Sequence, residues 1–123
     1  MQPLYTLKGL VVEGNKRGRL LGYPTANVHI KESIPEGVYA SSVILSGEEH
    51  IAATFIGTSK TFDDLEYKLE SYILDFDEDI YGEQIVVEIF KHVRGNIKFD
   101  SKETLIQQMQ NDVEDIRSFF EKN

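Results

Sequence analysis

Across the first 95 residues, short runs of alternating apolar and polar side chains are cut off by glycine and aspartate turns, and one stretch with helical spacing follows. Period-two alternation turns one face of each run toward a core and the other outward, so the runs must lie side by side to bury that face. They are Tyr5 to Val12, ending at Gly14; Gly37 to Leu45, closing at Ser46-Gly47; His50 to Ile56, stopping at Gly57; Tyr67 to Leu74; and Gln84 to Val93. Leu69, Ser71 and Ile73 fall on one side of the fourth run, with Lys68, Glu70, Tyr72 and Leu74 on the other. Such runs between tight turns predict a mainly β chain, an antiparallel sheet or closed barrel. Leu105, Met109, Val113, Ile116 and Phe120, widened by Ile106 and Phe119, predict an α-helix over about 101–121 whose apolar stripe is core. Asp100 with Glu103, or Ser101 itself, can cap its start.

At 123 residues with 41% apolar content, the chain is expected to be one domain, 1–123, with a single core. It has no cysteine, so disulfides and thiolate metal sites are excluded. Met1-Gln2-Pro3-Leu4-Tyr5 has neither a basic start nor an apolar run, and no segment approaches the ~20 apolar residues of a membrane span. A cytoplasmic, soluble monomer with no membrane partner is expected. The net charge of −8 argues against nucleic acid as a partner.

The positive charge is nevertheless concentrated. Residues 1–31 carry five cations and one acid, Glu13, while the remainder carries eight cations against 20 acids. The cations surround a glycine-rich stretch, Gly14-Asn15-Lys16-Arg17-Gly18-Arg19-Leu20-Leu21-Gly22, which runs into Tyr23-Pro24-Thr25-Ala26-Asn27. Glycines let backbone N–H groups form concavities for anions, and Thr and Asn offer neutral oxygens to a hard cation. Phosphate and metal on one loop suit a nucleotide-using enzyme. A basic surface turn that keeps a strand edge soluble accounts for the charge equally well. Neither GxxxxGK[ST] nor GxGxxG is present. His29, His50 and His92 have no ligand spacing.

Taken in order, the strand ending at Gly14, the Gly18-Arg19 loop, Leu21 to Asn27, Ile34-Pro35-Glu36-Gly37-Val38-Tyr39-Ala40, Ile56-Gly57, Thr61-Phe62, Glu70, Ile73-Leu74-Asp75-Phe76, Tyr81-Gly82, Arg94, Lys98-Phe99-Asp100-Ser101 and a closing helix with Asp112 resemble the riboflavin kinase (flavokinase) family. The likeness is greatest to the C-terminal module of bacterial bifunctional riboflavin kinase/FAD synthetases, and it runs from about Tyr5 to Phe119. It implies a six-stranded antiparallel Greek-key barrel with a C-terminal helix packed on it. The implied reaction moves the ATP γ-phosphoryl group to the riboflavin 5′-hydroxyl, giving FMN and ADP. The implied partners are riboflavin/FMN and ATP/ADP, with Mg2+ or another divalent ion in its place. No adenylyltransferase domain is expected within this chain.

The resemblance also implies roles. Glu70 would be the catalytic carboxylate, where the bare sequence favours a solvated strand glutamate paired with Lys68 or a cross-strand cation. Thr25 and Asn27 would hold the metal, where Thr-x-Asn alone reads as a capped turn. The nucleotide would meet Gly14, Lys16, Gly18, Arg19, Gly22, Pro24, Thr25, Ile73, Asp75 and Tyr81. The flavin would meet Arg94, Phe99, Ser101 and Glu103, although Phe99 suits a core position gripping the helix start just as well. The sequence departs from the family pattern at Phe55, Lys60, Tyr72 and Glu13. Those departures motivate the alternative of a weakly active or non-catalytic flavin- or nucleotide-binding module.

Overall fold

The structure, a computed structural model, describes residues 1–14, 22–62 and 64–123. Six antiparallel strands close into a barrel: β1 (Tyr5–Val12), β2 (Ala26–Val28), β3 (Gly37–Leu45), β4 (Glu48–Ser59), β5 (Asp64–Ile73) and β6 (Gln84–Arg94), arranged β1-β2-β5-β4-β3-β6. Strands β3, β4 and β5 follow one another and β6 returns beside β3, which makes the Greek key. β2 closes the sheet by pairing Val11 and Val12 of β1 on one side and Leu69 to Ser71 of β5 on the other.

All the alternating runs are strands. The additional strand, β2, is three residues long and fully buried, too short for any periodicity to reveal. Strand β4 runs past Gly57 instead of stopping there. Gly57 has φ of 140°, the β4–β5 register shifts between it and Ser59, and a Cβ would lie 2.4 Å from Glu36 Oε1. The glycine is thus a bulge under a neighbouring carboxylate, not a terminus. Glu36 accepts from the Thr58 N–H at 3.0 Å and from Asn96 Nδ2 at 2.8 Å, which ties the entry of β3 to β4 and to the segment after β6.

The inward faces fill the barrel with Leu7, Val11, Val28, Val43, Ile56, Leu69, Ile85, Val87 and Ile89. A chain of buried hydroxyls crosses this core: Ser41 Oγ lies 2.6 Å from Thr54 Oγ1, which lies 2.7 Å from Ser71 Oγ, and Ser41 also donates to the Ala52 carbonyl at 2.9 Å. Each hydroxyl finds a partner, so burial leaves none of them costly.

Helix α1 (Lys102–Lys122) lies outside the barrel. Ser101 caps it, its Oγ accepting from the Thr104 N–H at 3.2 Å. Ile116, Phe119 and Phe120 pack against Val38, Ala40, Ala53, Phe55 and Val93 on the outer wall, a second apolar layer separate from the barrel interior. The helical stripe is only partly core, however, because its N-terminal half borders a cavity.

Candidate active site

Strand β2 is short, but its register assembles the site. Asn27 pairs with Glu70 across β2–β5, and Glu70 pairs with Phe55 across β5–β4. Directly opposed residues share a face with Cβ atoms about 5 Å apart. Ala26, Val28, Leu69 and Ser71 belong to the inner layer, so Asn27, Glu70 and Phe55 turn away from the barrel interior. Lys68 Nζ stands 3.5 Å from Glu70 Oε1, with the side chains 7% and 20% exposed. The lysine–glutamate pair therefore exists, but inside a cleft and not on a solvated face.

Two cavities flank this point. The first lies between the outer barrel wall and α1, with about 920 Å3 of empty space including its mouth. Val38, Ala53, Phe55, Lys68, Glu70 and Tyr72 line it from the strands, Leu105, Met109, Asp112 and Val113 from the helix, and Tyr23, Thr25, Lys60, Arg94 and Phe99 from the rest. Apolar and aromatic walls with a few convergent charges suit a flat organic ligand. Tyr72 packs edge-on against Tyr23 with ring centroids 5.1 Å apart. Burial, with Tyr72 beside it, raises the Tyr23 hydroxyl pKa, against a lowering hydrogen bond from Gln110.

The second cavity, about 770 Å3 on the same measure, opens at one end of the barrel among Val11, Pro24, Thr25, Ala26, Ser71, Ile73, Tyr81 and the acidic run Asp77 to Asp79. Among the described residues, Thr25 alone borders both cavities.

Asn27 is 8% exposed, and its Oδ1 is buried with no hydrogen-bond partner among the described residues. Its Nδ2 donates to the Thr25 carbonyl at 3.3 Å. Gly14 lies against this amide so closely that a Cβ there would sit 2.5 Å from Oδ1. A buried acceptor without a donor fits a cation, and no group of three or more His, Cys, Asp or Glu gathers anywhere among the described residues. An ion at this point would be met by neutral protein oxygen, as suits a hard divalent cation.

The other expected positions divide. Pro24, Ile73 and Tyr81 border the second cavity, and Arg94 and Phe99 border the first. Gly22 forms a turn just before Tyr23. Lys16, Gly18 and Arg19 lie outside the described residues. Asp75 borders neither cavity. It is exposed and bidentate to Arg117 of α1 at 2.9 and 3.0 Å, which holds its carboxyl pKa below the ordinary value. Ser101 is spent on the helix cap and Glu103 is exposed on the first turn, so neither lines a cavity. Sequence reasoning missed Tyr23, Lys60, Leu105, Met109, Asp112 and Val113 as cavity residues. The helical spacing of Leu105, Met109 and Val113 was the available signal, but it is the same for a stripe facing a ligand and one facing a core.

The family profile described as riboflavin kinase matches residues 1–120. The chain belongs to the riboflavin kinase family. It is 44% identical over 122 residues to a bifunctional riboflavin kinase/FMN adenylyltransferase of Listeria monocytogenes, covering 96% of this chain and 39% of that protein. Among solved structures it resembles a riboflavin kinase from Trypanosoma brucei, with 25% identity, a TM-score of 0.69, and 99% of this chain against 82% of that one. It also resembles a Streptococcus pneumoniae protein named as macrolide-efflux protein, with 40% identity and a TM-score of 0.82 over 94% of this chain and 38% of that one. The chain spans about two fifths of the length of the bifunctional relatives and matches their C-terminal module. The expected family and the six-stranded barrel with its closing helix are therefore both found. No described helix is long and apolar enough to cross a membrane.

Proposed function

We propose that this riboflavin kinase family chain transfers the γ-phosphoryl group of ATP to the riboflavin 5′-hydroxyl, releasing FMN and ADP. What supports the reading is that Glu70 lines the cavity under α1 and pairs across β2–β5 with Asn27, while Thr25, two residues before Asn27, borders both cavities. Riboflavin takes the aromatic-lined cavity under α1, and the nucleotide takes the one beside Pro24, Ile73 and Tyr81. The 5′-oxygen attacks the γ-phosphorus, the bond to the bridging β–γ oxygen breaks, and ADP leaves. Glu70 accepts the hydroxyl proton late in a loose transition state. Lys68, 3.5 Å away, orients the carboxylate.

Thr25 and Asn27 are the residues that would hold a divalent cation, magnesium being the ion we infer. When bound, such an ion would neutralise phosphate charge. The protein's own part is mainly to fix acceptor and donor in line and to exclude water with the helix and the aromatic walls.

Incubating the chain with riboflavin, ATP and magnesium is expected to yield FMN. Glu70→Gln is expected to lower kcat on the order of 10²-fold or more while riboflavin affinity changes little. Tight flavin binding without FMN would favour a binding module, and equal loss of kcat and affinity would remove Glu70 from the proton transfer.

A further inference from the structure

The Arg94 guanidinium is held by more partners than a surface cation needs. Its Nε donates to Asp112 Oδ1 at 2.9 Å and to Oδ2 at 3.1 Å, and its Nη2 donates to Oδ2 at 2.9 Å. Its Nη1 donates to the Gly95 carbonyl at 3.1 Å. Gln108, one turn earlier on α1, donates from Nε2 to Asp112 Oδ1 at 3.0 Å, so the carboxylate is itself pinned. The two charged side chains are 15% and 5% exposed. The guanidinium carbon stands 5.5 Å from the centre of the Phe99 ring, and the Phe99 N–H donates to Thr61 Oγ1 at 3.1 Å. Arg94, Phe99 and Asp112 all border the cavity under α1.

As a way to attach the helix this arrangement is poor. Taking two charges out of water offsets most of their attraction, and apolar residues of similar volume would hold α1 at least as well. Ile116, Phe119 and Phe120 already do so farther along the helix. What the ion pair adds is orientation, since a carboxylate gripping Nε and Nη2 leaves a planar cation one pose. The described bonds use three of the five guanidinium N–H groups, so the same pose keeps donor capacity for a ligand carbonyl.

We propose that Asp112 is a positioning residue for riboflavin: it holds Arg94 over Phe99 so that cation and ring form one rigid wall of the flavin cavity. This rests on the reading that the cavity under α1 takes riboflavin. Asp112 acts only through Arg94. Its loss frees the guanidinium to rotate out of the wall without touching the nucleotide side.

The test titrates riboflavin with the 123-residue chain and reads quenching of flavin fluorescence, alongside KM for ATP and circular dichroism. Asp112→Asn is expected to weaken riboflavin binding about tenfold or more, with KM for ATP within about twofold. Arg94→Lys, which keeps the charge but loses the fork, is expected to weaken it comparably. Combining Asp112→Asn with Arg94→Gln is expected to cost no more than Arg94→Gln alone, because the two residues act as one. Unchanged riboflavin affinity in Asp112→Asn, or losses that multiply in the double variant, would overturn the proposal. Should Asp112→Asn not fold, Arg94→Lys decides, and affinity equal to the unsubstituted chain overturns it. Failure of the unsubstituted chain to bind riboflavin would instead overturn the flavin reading underneath.

Discussion

Asn27 buries an amide whose oxygen meets no donor among the described residues. A buried carbonyl oxygen without a donor costs about 1–3 kcal/mol, and Oδ1 is such an atom among the described residues. Asn27→Ala removes both that cost and some packing against Gly14, so the ligand-free chain is expected to change by no more than about 1 kcal/mol in a denaturant melt. The same substitution is expected to raise the magnesium concentration giving half-maximal turnover about tenfold, equivalent to about 1.4 kcal/mol of lost binding. An unchanged magnesium requirement would remove Asn27 from the cation's surroundings. A large loss of stability with no change in metal dependence would make it a packing residue. The role was suggested by its place in Pro24-Thr25-Ala26-Asn27, whereas its burial and missing donor depend on a strand pairing that no local pattern encodes.

Among the elements, the junction of β3, β4 and the segment after β6 is the most exposed to substitution. Gly57→Ala adds a methyl group 2.4 Å from Glu36 Oε1 at a φ of 140°. It is expected to cost about 2 kcal/mol or more, measurable as a lower denaturation midpoint with unchanged m-value. Glu36 itself titrates below its ordinary value of 4.5, chiefly because the Thr58 N–H and then the Asn96 amide bond its charged form. A depressed folded pKa means the contribution is fully present above the unfolded value and disappears as pH falls through the folded one. The stability difference between the unsubstituted chain and Glu36→Gln is therefore expected to be constant above about pH 6 and to shrink toward pH 3. A difference that stays flat over that range would deny the hydrogen-bonded carboxylate its part. At this scale the sequence was legible wherever a period had room to repeat: β1, β3, β5, β6 and α1 follow directly from alternation or helical spacing. It misled where one residue type has two uses. Gly57 reads as a stop and is a bulge, and the Leu105–Met109–Val113 stripe reads as core and borders a cavity. Ser71 falls on the side of Leu69 and Ile73 in the alternation, but nothing local shows that Ser41, Thr54 and Ser71 bond one another inside the barrel.

For the molecule as a whole, the decisive arrangement is that a cleft outside the barrel wall and another at the barrel's end meet at Thr25. The family resemblance pointed to Thr25, Asn27 and Glu70, but that one cavity lies on the outer wall and the other at the barrel's end emerges only from the closed strand order. This geometry predicts which ligand pairs tolerate each other. Riboflavin and ATP leave room for one phosphoryl group at the junction. FMN and ADP fill it with the same group after transfer. On the proposed placement of flavin and nucleotide in separate cavities, FMN and ATP would still put two anionic groups there. Calorimetric titration of FMN into chain saturated with magnesium and a non-hydrolysable ATP analogue is expected to give an affinity at least about tenfold weaker than titration into the ADP complex, a penalty of about 1.4 kcal/mol or more. Riboflavin titrated into the same two complexes should differ far less. Equal FMN affinity in both would mean that the phosphoryl positions do not coincide, and that Thr25 does not stand where the group is passed from one cavity to the other.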